Sequence, residues 1–208
     1  MKTESKNITQ IKNKTLYVIL NIVAGSLKIA TATGQTAYRL TIYKRVHYFE
    51  KSSLEIRTSF YDNQSGSILK VTIVGALVEL YINPIVLKTI TINTSATALE
   101  VTLTNLKETN IFVNSHAVSG KLELQYSLVN NTKVFIKSRA TSMKIHIILP
   151  KNVPVHSELS SSQSMVEEDI DDIHISLTEG VRTFGTKGGL LLKVNAITSM
   201  VKISISRW

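Results

Sequence analysis

Residues 111–124, "IFVNSHAVSGKLEL", decide the fold. Ile111 and Val113 alternate on odd numbers, whereas Leu122 and Leu124 alternate on even ones. Side chains of a β-strand point to opposite faces with period two, so a phase change of one residue sends the second set to the other side unless the backbone turns or bulges in between. A corner near Ala117 keeps both sets inside one core.

The same pattern recurs along the chain. "ITINTSATALEVTL" starts at Ile90, "VFIKSRATSMKIHI" at Val134 and "LKVNAITSMVKISI" at Leu192, at steps of 21, 23 and 58 residues along the series that includes Ile111. Each copy has two apolar positions, a small residue, and a second apolar set in the opposite phase. The template also fits Val18, Leu20, Ala24, Leu27 and Ile29, and Leu69, Val71, Gly75, Val78, Leu80 and Ile82. Leu54 and Ile56 carry only its second half, and Val153 and Val155 only its first. A period of about 22 residues, rich in β-branched residues and without helical spacing, predicts an all-β chain of stacked coils, a parallel β-solenoid. The alternative is an antiparallel β-sandwich, which also consists of short strands at regular spacing.

Two stretches break the template. Residues 36–63 are aromatic and basic; Arg39, Tyr43, Lys44, Arg45, Tyr48, Lys51 and Arg57 form a candidate binding patch, in which rings and cations together suit an anionic or stacking ligand. Residues 160–182 hold "SSSQS" and the acidic run Glu167, Glu168, Asp169, Asp171 and Asp172, a weak candidate for a hard cation held by oxygen ligands. Both read as irregular insertions or capping segments of one domain over residues 16–208, preceded by a polar, basic tail over 1–15.

With 208 residues and 43% hydrophobic composition the chain can bury a core, and with no cysteine that core has to supply the stability. A net charge of +9 draws it toward anionic surfaces. The N-terminus has neither a signal peptide nor a membrane-spanning pattern, which points to a cytoplasmic protein, peripheral at the membrane at most. The five histidines lack metal-ligand spacing, no nucleophile elbow is present, and no cofactor is expected. An enzyme reading is kept as an alternative: Glu79, Glu100 and Glu123, read as one ladder on successive coils, would serve a carbohydrate-active β-helix.

Residues 134–208, with "KIHIILPKNVPVHSEL" and the closing "LLLKVNAITSMVKISI", resemble the C-terminal domain of LiaF-type cell-wall-active-antibiotic response proteins. Residues 90–124 are similar to the related toastrack-type adhesin domains. The resemblance implies a right-handed β-helix without catalysis, acting in the bacterial envelope-stress response. Its implied partner is a membrane sensor kinase or another protein. An anionic envelope or membrane surface is a further candidate, nucleic acid is not expected, and homo-oligomers would form through the solenoid ends. A self-assembling or adhesin-like structural role is the other non-enzymatic expectation.

Overall fold

The structure is a computed structural model that describes residues 1–44, 55–170 and 173–208. Along the chain, β1 (Lys2–Asn7) and two short 3-10 turns lead into β2 (Leu16–Val23), β3 (Ser26–Thr31), β4 (Thr36–Lys44) and β5 (Glu55–Asp62). Next come β6 (Ser67–Val74), β7 (Ala76–Ile82), β8 (Leu87–Ser95), β9 (Ala98–Lys107), β10 (Asn110–His116), β11 (Ser119–Leu128), β12 (Thr132–Arg139) and β13 (Ser142–Leu149). The last strands are β14 (Val155–Ser162), β15 (Met165–Ile170), β16 (Ile173–Leu177), β17 (Gly180–Gly185), β18 (Leu190–Ile197) and β19 (Met200–Arg207). No helix among the described residues is long and apolar enough to cross a membrane.

These strands make two mixed sheets, neither of them closed. The ten-stranded sheet runs β1-β4-β7-β3-β9-β11-β13-β19-β15-β16, and the nine-stranded sheet runs β17-β14-β18-β12-β10-β8-β2-β6-β5. Each copy of the template places its first half in the nine-stranded sheet and its second half in the ten-stranded one. Inner strands pair in parallel; the antiparallel pairs lie at the ends, where β1, β4, β5, β16 and β17 are laid on. The predicted β-helix is therefore matched in its parallel interior and not in its antiparallel edges, and the strand pairing departs from a purely antiparallel sandwich.

The phase change has a backbone cause. Ala24, Gly75, Ala96, Ala117, Ala140, Gln163 and Thr198 all have φ between 49° and 75°. One left-handed residue turns the chain from one sheet into the other, and small side chains or glycine are the least strained there. The turn does not interrupt the hydrogen bonding between layers. Ala24 N–H donates to the Ser95 carbonyl, Ala96 to His116, Ala117 to Arg139, Ala140 to Ile197 and Thr198 to Ser162, at 2.9–3.0 Å. Beside one corner, a Cβ added to Gly25 would lie 2.2 Å from the Ala76 carbonyl oxygen, so only glycine allows the layers this close.

Between the sheets the apolar positions stack in register. Leu80, Ile29, Val101, Leu122, Ile145 and Ile203 form one column; Val71, Leu20, Ile92, Val113, Ile136, Val194 and Leu159 form its counterpart. None of these residues is more than 2% exposed, and each contributes about 1.5–3 kcal/mol by leaving water.

Spatial order differs from chain order at both ends. The copy at β6 and β7 lies outside that at β2 and β3, and the last copy, β18 and β19, is inserted between β12/β13 and β14/β15. A seventh copy is present in β14 and β15, but not at the Val153 and Val155 that the template picks out: Ser157 and Leu159 stand opposite Leu192 and Val194, four residues further along. Ser157 and Glu168 stand at its interior positions, so the apolar signal fails although the strands are formed. Residues 160–170 therefore belong to a stacked layer. Within the polar first fifteen residues, Lys2–Asn7 pair with β4.

Candidate functional site

The structure divides the basic and aromatic patch. Arg39, Tyr43 and Lys44 lie on β4, next to the edge strand β1 of the ten-stranded sheet, while Arg57 lies on β5 in the other sheet; Arg45, Tyr48 and Lys51 are outside the described residues. Arg39, Tyr43 and Arg57 each have an intramolecular partner. The Arg39 guanidinium sits 4.7 Å over the Tyr81 ring, Arg57 pairs with Glu55, and the Tyr43 hydroxyl donates to Glu79 at 3.1 Å. That hydrogen bond is the main reason the Tyr43 hydroxyl is held above its ordinary pKa. Tyr38 and Phe60 from the same segment face inward, 5.8 Å apart, and cover the end of the core.

The acidic run is divided by the pleat. Glu167 points outward and pairs with Lys202 at 2.7 Å, and Asp169 points outward to His174 at 2.6 Å. Glu168 points into the core, where its Oε1 accepts a hydrogen bond from Ser157 Oγ at 2.9 Å and its Oε2 has no partner. Burial pushes its pKa up to about 7. Asp171 and Asp172 lie outside the described residues. Among the described residues, no three metal-ligating side chains come together.

The expected ladder of Glu79, Glu100 and Glu123 is not formed. Lys28 stands between Glu79 and Glu100, 3.9 Å from the latter, and Glu123 is opposite Thr102, one side-chain row further along the strand. The ladder expectation puts Glu123 level with Glu100, whereas the register pairs Glu100 with Lys121, two residues before Glu123.

The outer surface of the nine-stranded sheet carries a group of residues that sequence reasoning missed. Asn21, Asn93 and Asn114 stand in register on β2, β8 and β10. Asn114 Nδ2 donates to Asn93 Oδ1 at 2.8 Å, Asn93 Nδ2 to Asn21 Oδ1 at 2.9 Å, and Asn21 Nδ2 to Thr72 Oγ1 at 3.3 Å. Lys137 continues the row on β12. The next row toward the corner holds Val23, Ser95, His116 and Arg139. Together they line an open groove of about 730 Å³, and no acidic side chain is among its described lining residues. On the other side of the asparagine row, Phe112 and Phe135 meet edge to face, ring centroids 5.4 Å apart. The signal was in the sequence: the outward residue after the second apolar position is asparagine in four copies, at Asn21, Asn93, Asn114 and, beyond Lys137 on β18, Asn195. Aligning only the apolar positions passes over it.

What the arrangement can do chemically follows from these rows. Fixed amides on a flat sheet offer hydrogen bonds at the strand spacing of about 4.8 Å, and the neighbouring cations attract negative charge.

No family model matches the chain, and no curated protein matches it. The chain is similar in fold to the crystal structure of a "putative cell adhesion protein" from Clostridium sporogenes, with a TM-score of 0.54 and 16% identity over 100% of this chain and 99% of that one. At that identity the likeness is one of fold.

Proposed function

We propose that this protein is a non-enzymatic, adhesin-like binding scaffold, a β-solenoid in which the coils supply rigidity and the outward rows supply contacts. The observation that carries this reading is the asparagine row running across three stacked strands beside the groove. Repetition of one layer fixes its side chains in a line without a separate supporting structure for each, which favours extended surfaces over compact ligands. The description of the similar Clostridium structure as a "putative cell adhesion protein" supports the same direction. The regulatory role in envelope stress, with a sensor kinase as partner, rests on the LiaF resemblance alone. An adhesive role would put the protein at the cell surface, contrary to the cytoplasmic expectation.

Self-assembly through the end formed by β1 and β5 is the weaker part of the structural alternative. The edge strand β1 carries Lys2, Glu4 and Lys6, and β5 carries Glu55, Arg57 and Asp62, charges that discourage another chain from pairing there. Beads coated with the full chain test the proposal. Adhesion to bacterial or host cells above that of beads carrying an unrelated basic protein is expected; equal adhesion overturns it.

A further inference from the structure

We infer that the groove on the nine-stranded face binds an acidic polysaccharide, with sugar carboxylates at Lys137 and Arg139 and hydroxyls along Asn21, Asn93 and Asn114. This inference rests on the adhesin-like reading and names its ligand.

Each interior asparagine of the row uses one amide hydrogen and one carbonyl lone pair on its neighbours, which fixes the side chain and leaves a second donor and a second acceptor for a ligand. The spacing of the row, set by strand separation at about 4.8 Å, is close to the length of one sugar ring. Phe112 and Phe135 flank it with apolar surface suited to the C–H face of a pyranose. Lys137 and Arg139 are exposed at one end, have no acidic partner among the described residues, and share the groove with His116. Arginine can hold a carboxylate through two parallel hydrogen bonds.

The neutral part of the groove distinguishes the ligand class. A strand of nucleic acid gains its affinity chiefly from many phosphate contacts, whereas here two cations adjoin a neutral amide row, whose donors and acceptors suit sugar hydroxyls, and the apolar Val23. A neutral glycan would leave Lys137 and Arg139 unused. A polymer with many hydroxyls and a carboxylate on the sugar matches both parts.

Polygalacturonate is the probe, with its fully methyl-esterified form as the uncharged control, titrated into the full-length protein by calorimetry in about 0.15 M salt. Binding of the acid form and at least a tenfold loss on esterification are expected. The pair Lys137→Gln with Arg139→Gln should weaken binding at least tenfold, while Lys121→Gln with Lys144→Gln, the same charge change on the opposite face, should weaken it less than twofold. Equal losses from the two pairs would mean general attraction to a chain of net charge +9 and overturn the site. No binding, or binding indifferent to esterification, overturns the ligand class. Adhesion of coated beads without polygalacturonate binding removes this inference and leaves the adhesin-like reading; loss of both removes both.

Discussion

On the ten-stranded face, Lys28, Lys121 and Lys202 have carboxylates at 3.9, 3.0 and 2.7 Å, supplied by Glu100, Glu123 and Glu167. On the nine-stranded face, Lys137 and Arg139 have no such partner among the described residues, and asparagines occupy the rows that hold alternating charges on the other side. Both faces are made by the same repeat and share one core. The difference shows that the repeat specifies the scaffold through its inward positions, while the outward positions are free to neutralise one another on one side and to stay available on the other. Pairing is not complete on the first face, where Lys144 stands between Lys121 and Lys202, nor absent on the second, where Lys193 pairs with Glu158 at 2.8 Å.

The largest effects should fall on both faces together. Leu122→Ala removes a fully buried side chain between Val101 and Ile145, and should cost about 2–5 kcal/mol in urea unfolding. Loss confined to the ten-stranded side in hydrogen exchange would break the idea of a shared core.

Next comes the end layer. Glu168 holds its proton to about pH 7 in the fold, against an ordinary value of 4.5, so the unfolded chain ionises first as pH rises. The Glu168 contribution to stability is full below about pH 4.5 and is lost, by roughly 3 kcal/mol at 1.36 kcal/mol per unit of pKa, as pH rises to about 7. Thermal melts of Glu168→Gln should lack that slope and exceed the wild type at pH 8; an unchanged slope would place the charge elsewhere.

A smaller effect is expected at the corner, where Ala117 has φ 51°. A β-branched residue is strained in this region, so Ala117→Val should cost about 1–2 kcal/mol and disturb the neighbouring His116 row. The smallest belongs to the paired face. Lys202→Ala breaks a partly exposed pair and should change stability by less than about 1 kcal/mol, with polygalacturonate binding unaltered. A strong binding loss there would remove the distinction between the faces.

The sequence made the layers legible because the phase change is a local, repeated event. Val101, Leu122 and Ile145, aligned by the template, do lie above one another. It did not disclose their neighbours at the ends: the pattern of β18 and β19 contains nothing that selects β14 over β12, and the structure seats them between both. Glu168 hid a layer because one interior carboxyl breaks an apolar triplet without breaking the strand. For the site, alternation explained why Glu167 and Glu168 diverge only once the strand was located. The asparagine row needed the outward positions to be compared, while only the inward ones had been used to find the repeat.

The absence of native cysteine allows the central claim, register between outward rows, to be measured directly. With Asn93→Cys and Asn114→Cys introduced together, the two Cα atoms fall at adjacent, in-register strand positions, about 4.8 Å apart and within the 4.4–6.8 Å a disulfide spans. Mild oxidation followed by mass spectrometry should show an intramolecular disulfide in this variant and none in the Asn93→Cys, Phe112→Cys variant, which is shifted by two residues. Cross-linking of the shifted pair in preference to the aligned one would contradict the ladder and the binding face built on it.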